Sequence, residues 1–182
     1  MNGVKERRRQ PIYDSYEFSA GTVSAGTTIS FFTTPKSATK PLNLTNLTVA
    51  GQIPYNMAWI LGLRFYIFTL NATAPTLGDV NQILHNCTIS WKKEDRTLLE
   101  VPAFMIPAGM GLVPFADASA SAFSTANNGT PIKSNYFEIL RWEKFEKRDR
   151  LQLDAQVQSA MTIANNTYIT VILESVIDLK YY

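Results

Sequence analysis

Hydrophobic and polar residues alternate along much of this chain, and that two-residue period is the mark of a half-buried β-strand. In "RLQLDAQVQ" (150–158), Leu151, Leu153, Ala155 and Val157 fall on one face, with Arg150, Gln152, Asp154, Gln156 and Gln158 on the other. "YITVILESVIDL" (168–179) sets Ile169, Val171, Leu173, Ile177 and Leu179 on one face, and "ANN" (164–166) turns the chain between the two runs. The pattern predicts that these two form an antiparallel pair. "MAWILGLRFYIFTL" (57–70) is strongly apolar but too short for a transmembrane helix, which needs about 20 residues. Gly62, Arg64 and the aromatic and β-branched residues around them disfavour a helix of any kind. As a strand it places Trp59, Leu61, Leu63, Phe65 and Ile67 on a fully apolar face, and Ile60, Gly62, Arg64, Tyr66 and Phe68 on a mixed one. Two covered faces fit a strand inside a sandwich or barrel.

Further strands are predicted at "TTISFFTT" (27–34), ending at Pro35, and at "LTNLTVA" (44–50). "TISW" (88–91) and "RTLLEV" (96–101) flank the charged hairpin loop "KKED". Helical signals are few. "TLGDVNQIL" (76–84) places Leu77, Val80 and Leu84 on one side behind a Thr76 N-cap, and "YFEILRWEKFEKRD" (136–149) reads either as a helix or as a strand followed by a charged loop. "ADASASAFSTANNGTP" (116–131) reads as a long surface loop. Seven or eight strands with uneven loops in 182 residues predict one all-β domain: a jelly-roll sandwich or barrel of about eight antiparallel strands, with at most one or two short helices. The expected division is a flexible basic arm over residues 1–11 and a single domain over 12–182.

Composition narrows the chemistry. With 46% hydrophobic and 18% charged residues the chain is that of a folded domain. Net charge is +2, yet the first ten residues carry Lys5, Arg7, Arg8 and Arg9 against Glu6, a local +3 that leaves −1 for the rest. No apolar segment follows the arm, so it does not read as a signal peptide. A solubilising tail and a polyanion contact are the two readings of Lys5, Arg7, Arg8 and Arg9. In the second, they sit on phosphates of nucleic acid or lipid headgroups and gain by releasing counterions. The arm has no interleaved aromatic residues, so such a contact is expected to ignore base sequence.

One cysteine, Cys87, excludes an internal disulfide, and His85 is the single histidine. Zinc sites and most acid–base pairs draw on clusters of these residues, so no enzyme activity, catalytic residue, metal or cofactor is expected, and no small-molecule substrate. Cys87 beside His85 on one strand face reads as a structural pair rather than a nucleophile and base. Six Asn-x-Thr triplets, at Asn43, Asn46, Asn71, Asn86, Asn128 and Asn165, read as loop and strand composition rather than glycan sites. "EVPAFMIPAGMGLVPFA" (100–116) is apolar but broken by Pro102, Pro107, Pro114, Gly109 and Gly111, so it cannot run through a central sheet. It is expected to line the core in part, and to leave Phe104, Met105, Ile106 and Met110 as contacts for a neighbouring subunit.

The succession "TTISFFTTP", "LTNLTVAGQIP", "WILGLRFYIF" and "LLEVPAFMIPAGMG", following a basic start, resembles the small β-barrel capsid proteins of icosahedral, tailless bacteriophages, including membrane-containing ones. The resemblance spans most of residues 12–115. It implies a single jelly roll that assembles with copies of itself and other capsid proteins into a virion shell, its arm turned towards genome or internal membrane. A jelly-roll binding module, lectin-like or host-attaching, is the alternative reading.

Overall fold

The computed structural model describes residues 6–70, 77–107 and 136–179. Among them the chain forms eleven strands and one α-helix. The strands are β1 (Glu6–Arg9), β2 (Ile12–Phe18), β3 (Gly21–Val23), β4 (Thr28–Phe31), β5 (Met57–Phe68), β6 (Cys87–Lys93), β7 (Arg96–Pro102), β8 (Phe137–Glu146), β9 (Leu151–Val157), β10 (Met161–Ile163) and β11 (Thr167–Leu179). The helix α1 (Leu77–Asn86) precedes β6, and a 3-10 turn (Ala103–Met105) follows β7. Every pairing is antiparallel.

The fold is an all-β sandwich. A five-stranded sheet has the order β1-β11-β5-β8, with β2 also paired to β11. A four-stranded sheet has the order β4-β9-β6-β7, and β3 and β10 make a small ribbon between the two. The inward faces supply one continuous core. Ile169, Val171, Leu173 and Ile177 of β11 with Leu63, Phe65 and Ile67 of β5 meet Leu151, Leu153, Ala155 and Val157 of β9 and Ile89 of β6. Trp91 of β6 stacks on Phe145 of β8 with ring centroids 6.0 Å apart, both fully buried, and so ties the two sheets together. The Lys93 ammonium lies 5.1 Å above the Phe145 ring and closes this contact at its rim.

Several expectations are corrected. The runs at 150–158 and 168–179 are strands with the faces their alternation predicts, but they do not pair with each other. β9 lies between β4 and β6, whereas β11 lies between β5 and the β1–β2 side. The connection between them carries β10, which pairs with β3 and takes the chain from one sheet to the other. Alternation reports which face is buried and carries no information about the neighbour. The segment at 44–50 is irregular instead of a strand. Its groups bond outside any continuous ladder, Leu44 N–H to Pro41 O at 2.9 Å and Asn46 N–H to Tyr13 O at 3.3 Å, and Thr45 makes one isolated bridge to Asp14. The segment at 136–149 resolves as strand β8. The loop "KKED" shortens to Glu94 and Asp95, because Lys92 and Lys93 belong to β6. Glu94 takes φ 50°, the left-handed backbone that a two-residue hairpin loop requires. Thr76 and the loop at 116–131 lie outside the described residues.

Residues 6–9 are likewise not a free arm. They form β1 along β11, with Arg8 opposite Ile177 and Arg9 opposite Val176, and the side chains of Arg7, Arg8 and Arg9 stay exposed. Three arginines on an edge strand are a device that discourages uncontrolled pairing with other sheets.

The predicted faces of β5 hold over only half its length. Residue pairing runs Leu63↔Leu173, Gly62↔Glu174, then Ile60↔Ser175, so Leu61 is an extra residue, a β-bulge. Beyond it the parity inverts. Ala58 and Ile60 join the core, and Trp59 turns to the outer face. Gly62 permits the close approach of β8 at this point. A Cβ there would lie 2.5 Å from the Tyr136 ring and far inside contact distance of the Phe137 carbonyl oxygen.

A second constraint acts at the end of β4. Phe32, fully buried, has φ 62°, an outlying conformation for a bulky residue. Its N–H donates to Asp14 Oδ2 at 2.7 Å, and Asp14 Oδ1 accepts an ion pair from Lys40 at 2.7 Å. This buried carboxylate thus pins the left-handed corner that sends the chain away from the four-stranded sheet.

Gly62→Ala is expected to destabilise the fold by about 2–3 kcal/mol, because the clash involves backbone that cannot rotate away. A lower urea midpoint with an unchanged m-value is the expected result.

Candidate functional site: the outer face of the five-stranded sheet

The register of the five-stranded sheet assigns its outward side chains to rows. At one end Glu17, Tyr168 and Phe68 stand side by side, and the next row holds Ser15, Thr170 and Tyr66. The middle carries Tyr13, Ile172 and Arg64, then Glu174 beside Gly62. At the far end stand Arg9, Val176, Trp59 and Lys144, followed by Arg7. Without the bulge at Leu61, Trp59 would point into the core.

The first end is aromatic. Tyr66, Phe68 and Tyr168 stack with centroid separations of 5.1 and 5.3 Å. The Tyr168 hydroxyl donates to Glu17 Oε2 at 2.7 Å, and Asn166 Nδ2 donates to Glu17 Oε1 at 2.9 Å. Burial, then the hydrogen bond to Glu17 and its negative charge, push the Tyr168 phenol up to about 12. In the middle, Arg64 and Glu174 form a partly buried ion pair at 2.7 Å, and Ser15 and Thr170 hydroxyls bond at 2.7 Å.

The far end holds a cleft of about 250 Å³ lined by Arg7, Trp59, Trp142 and Val176. Trp142 of β8 is 53% exposed, unusual for an indole. The cleft joins one of the expected polyanion contacts, Arg7, to two tryptophans, and Arg9 stands opposite Val176 on the same face. The sequence separates these residues widely; cross-strand placement brings them together. Arg8 lies on the opposite face of β1, and Lys5 lies outside the described residues. Lys144 sits in the same row and pairs with Glu146 at 2.6 Å.

The other predicted site residues divide. Phe104 and Met105 in the 3-10 turn are 55% and 51% exposed, and the His85 ring packs against Phe104 at 5.7 Å. Ile106, expected as a contact, is buried at 3% in the core, because Ile106 N–H bonds back to Ala103 O and turns its side chain inward. Pro107 O accepts from Phe65 N–H at 3.0 Å, so the segment lies beside β5. Met110 lies outside the described residues. His85 and Cys87 do not share a strand face: His85 is exposed in the last turn of α1, whereas Cys87 starts β6 inside the core. Burial pushes the Cys87 thiol up to about 11, which removes the thiolate at neutral pH.

Two larger concavities lie among the described residues. One of about 430 Å³ lies between β7 and β8, lined by Leu98, Leu99, Phe137 and Ile139, and bridged by the 2.6 Å ion pair of Arg96 with Glu143. Another of about 420 Å³ follows the Phe32 corner and carries Arg148 and Arg150 at its rim. Among the described residues no group of three or more His, Cys, Asp or Glu side chains is placed to hold a metal ion, and no helix is long and apolar enough to cross a membrane. Comparison with known proteins returned no match to a family model, a curated protein or a solved structure.

Tyr168 sets an alkaline limit. Its folded pKa lies above the unfolded value of 10, so its contribution to stability is fully present below pH 10 and is lost as pH rises towards 12. In ultraviolet titration of the folded protein, Tyr168→Phe is expected to remove the tyrosine component that ionises near pH 12.

Proposed function

We propose that the chain is a jelly-roll shell subunit, a structural protein of a virion that assembles with copies of itself and with other capsid proteins. The strand order carries this reading. With β1 and β2 counted as one strand, and the short ribbon of β3 and β10 set aside, eight strands remain among the described residues. Numbered in order, they give 1-8-3-6 in one sheet and 2-7-4-5 in the other. That is the arrangement produced when an antiparallel ribbon pairing first with last, second with seventh and so on is wrapped into two sheets, as in a jelly roll. Two packed sheets around one core make a block suited to geometric association rather than to turnover.

Closed symmetric assembly makes many weak contacts add up to a stable shell. Phe104 and Met105 supply one such contact, because both are exposed on a short turn held by the core residues Ala103 and Ile106 on either side. The basic β1 supplies a second surface, directed to the interior contents.

A binding module is the second reading, favoured by the Tyr66–Phe68–Tyr168 stack beside Glu17 and Asn166, an aromatic cluster with polar neighbours of the kind sugar rings pack against. In that case the protein is a small oligomer that binds glycans.

The purified chain is expected to form large regular assemblies visible by electron microscopy and light scattering. Phe104→Glu combined with Met105→Glu should abolish them while leaving thermal unfolding within a few degrees, since neither side chain belongs to the core. A wild-type chain that stays monomeric across salt and pH overturns the proposal.

A further inference from the structure

We infer that the cleft between Trp59 and Trp142 binds single-stranded nucleic acid, one base stacking on the exposed indole while Arg7 and Arg9 hold adjacent phosphates. The inference deepens the shell-subunit reading by naming the partner of its basic strand.

The chemistry is that of a stacking platform set against a positive rail. Every nucleobase has a π face, so an exposed indole accepts any of them, and cations alongside fix the backbone. Here the indole of Trp142 is 53% exposed, Trp59 and Val176 form the floor and opposite wall, and Arg7 lines the same cleft. Arg9 is directly opposite Val176 and so shares that face. The cleft of about 250 Å³ has room for one flat ring system and not for a strand or a helix of a protein partner.

Membrane binding fits these residues less well. An interfacial anchor presents a protruding cluster of apolar side chains, whereas this site is concave. Among the described residues the other exposed large hydrophobics, such as Phe104, Met105 and Leu42, belong to other elements. The local charge is also modest. Glu146 pairs with Lys144 beside the cleft. That limits the phosphate contacts to about two and leaves stacking as the main contribution, a balance that favours single strands over duplex.

The test is titration of the full chain with an oligodeoxythymidylate of about twelve nucleotides, read by tryptophan fluorescence quenching, with sedimentation reporting assembly in the same samples. Quenching by the single strand is expected, much weaker with duplex of equal length. The affinity should fall with salt at a logarithmic slope of about −1.4 for two phosphates. Trp142→Ala should weaken binding roughly 5- to 150-fold, Trp142→Phe should retain most of it, and Arg7→Gln with Arg9→Gln should flatten the salt dependence. Because Trp142 is exposed, these variants are expected to sediment as the wild type does. Absence of wild-type binding overturns the inference, as does equal binding by Trp142→Ala, or partition onto phosphatidylserine vesicles without oligonucleotide binding. Binding by a chain that never assembles would remove the shell reading and leave the cleft assignment standing.

Discussion

The five-stranded sheet depends on one strand being paired along both edges. β11 meets β5 on one side over nearly its whole length, and on the other side β2 and β1 in turn. The first residues of the sheet and its last strand are therefore direct neighbours, and much of the core closes only when the chain has brought positions over 150 apart together. Ordering so long a loop costs entropy before any contact rewards it. The return comes from the apolar face of β11, where Ile169, Val171, Leu173 and Ile177 all enter one core. The polar pins at its margins work in the same direction. Asp79, buried in the first turn of α1, accepts N–H groups of Ala164 and Asn165 and so fixes the turn from which β11 starts.

Placement of the outer-face residues follows from this closure. Arg7 reaches the tryptophans, and Arg9 shares their face, only because β1 is held against the far end of β11, and Trp59 looks outward only because Leu61 interrupts the alternation of β5. The aromatic group at the other end has a different origin: Glu17, Tyr168 and Phe68 come from three strands in one uninterrupted row. The two ends of one sheet face thus carry different chemistries, separated by the Arg64–Glu174 ion pair.

Much of the fold was legible in the sequence, for a physical reason. A strand with one buried face must alternate, so β9 and β11 stood out, and the long apolar run announced β5. Partnership was not legible, because a two-residue period is silent about which strand lies alongside; hence β9 and β11 looked like a hairpin and belong to opposite sheets. The strand character of Arg7–Arg9 was hidden since the backbone does the pairing while the side chains remain solvated, as they would in a tail. Tertiary context decided the 136–149 segment, where Phe145 and Trp142 take opposite faces of β8. As for the cleft, neither tryptophan is informative alone. Gly62, beside the bulge, was the one sequence signal that the alternation of β5 would break.

The extra residue at Leu61 gives β5 two addresses within a single strand. Odd-numbered positions look inward on one side of it and outward on the other, so the two halves answer to separate demands. The Leu63–Ile67 half is committed to the interior, whereas the half around Trp59 can exchange its outward side chain without disturbing a layer of packing. A sheet built this way can change what it displays at one end and keep its foundations at the other.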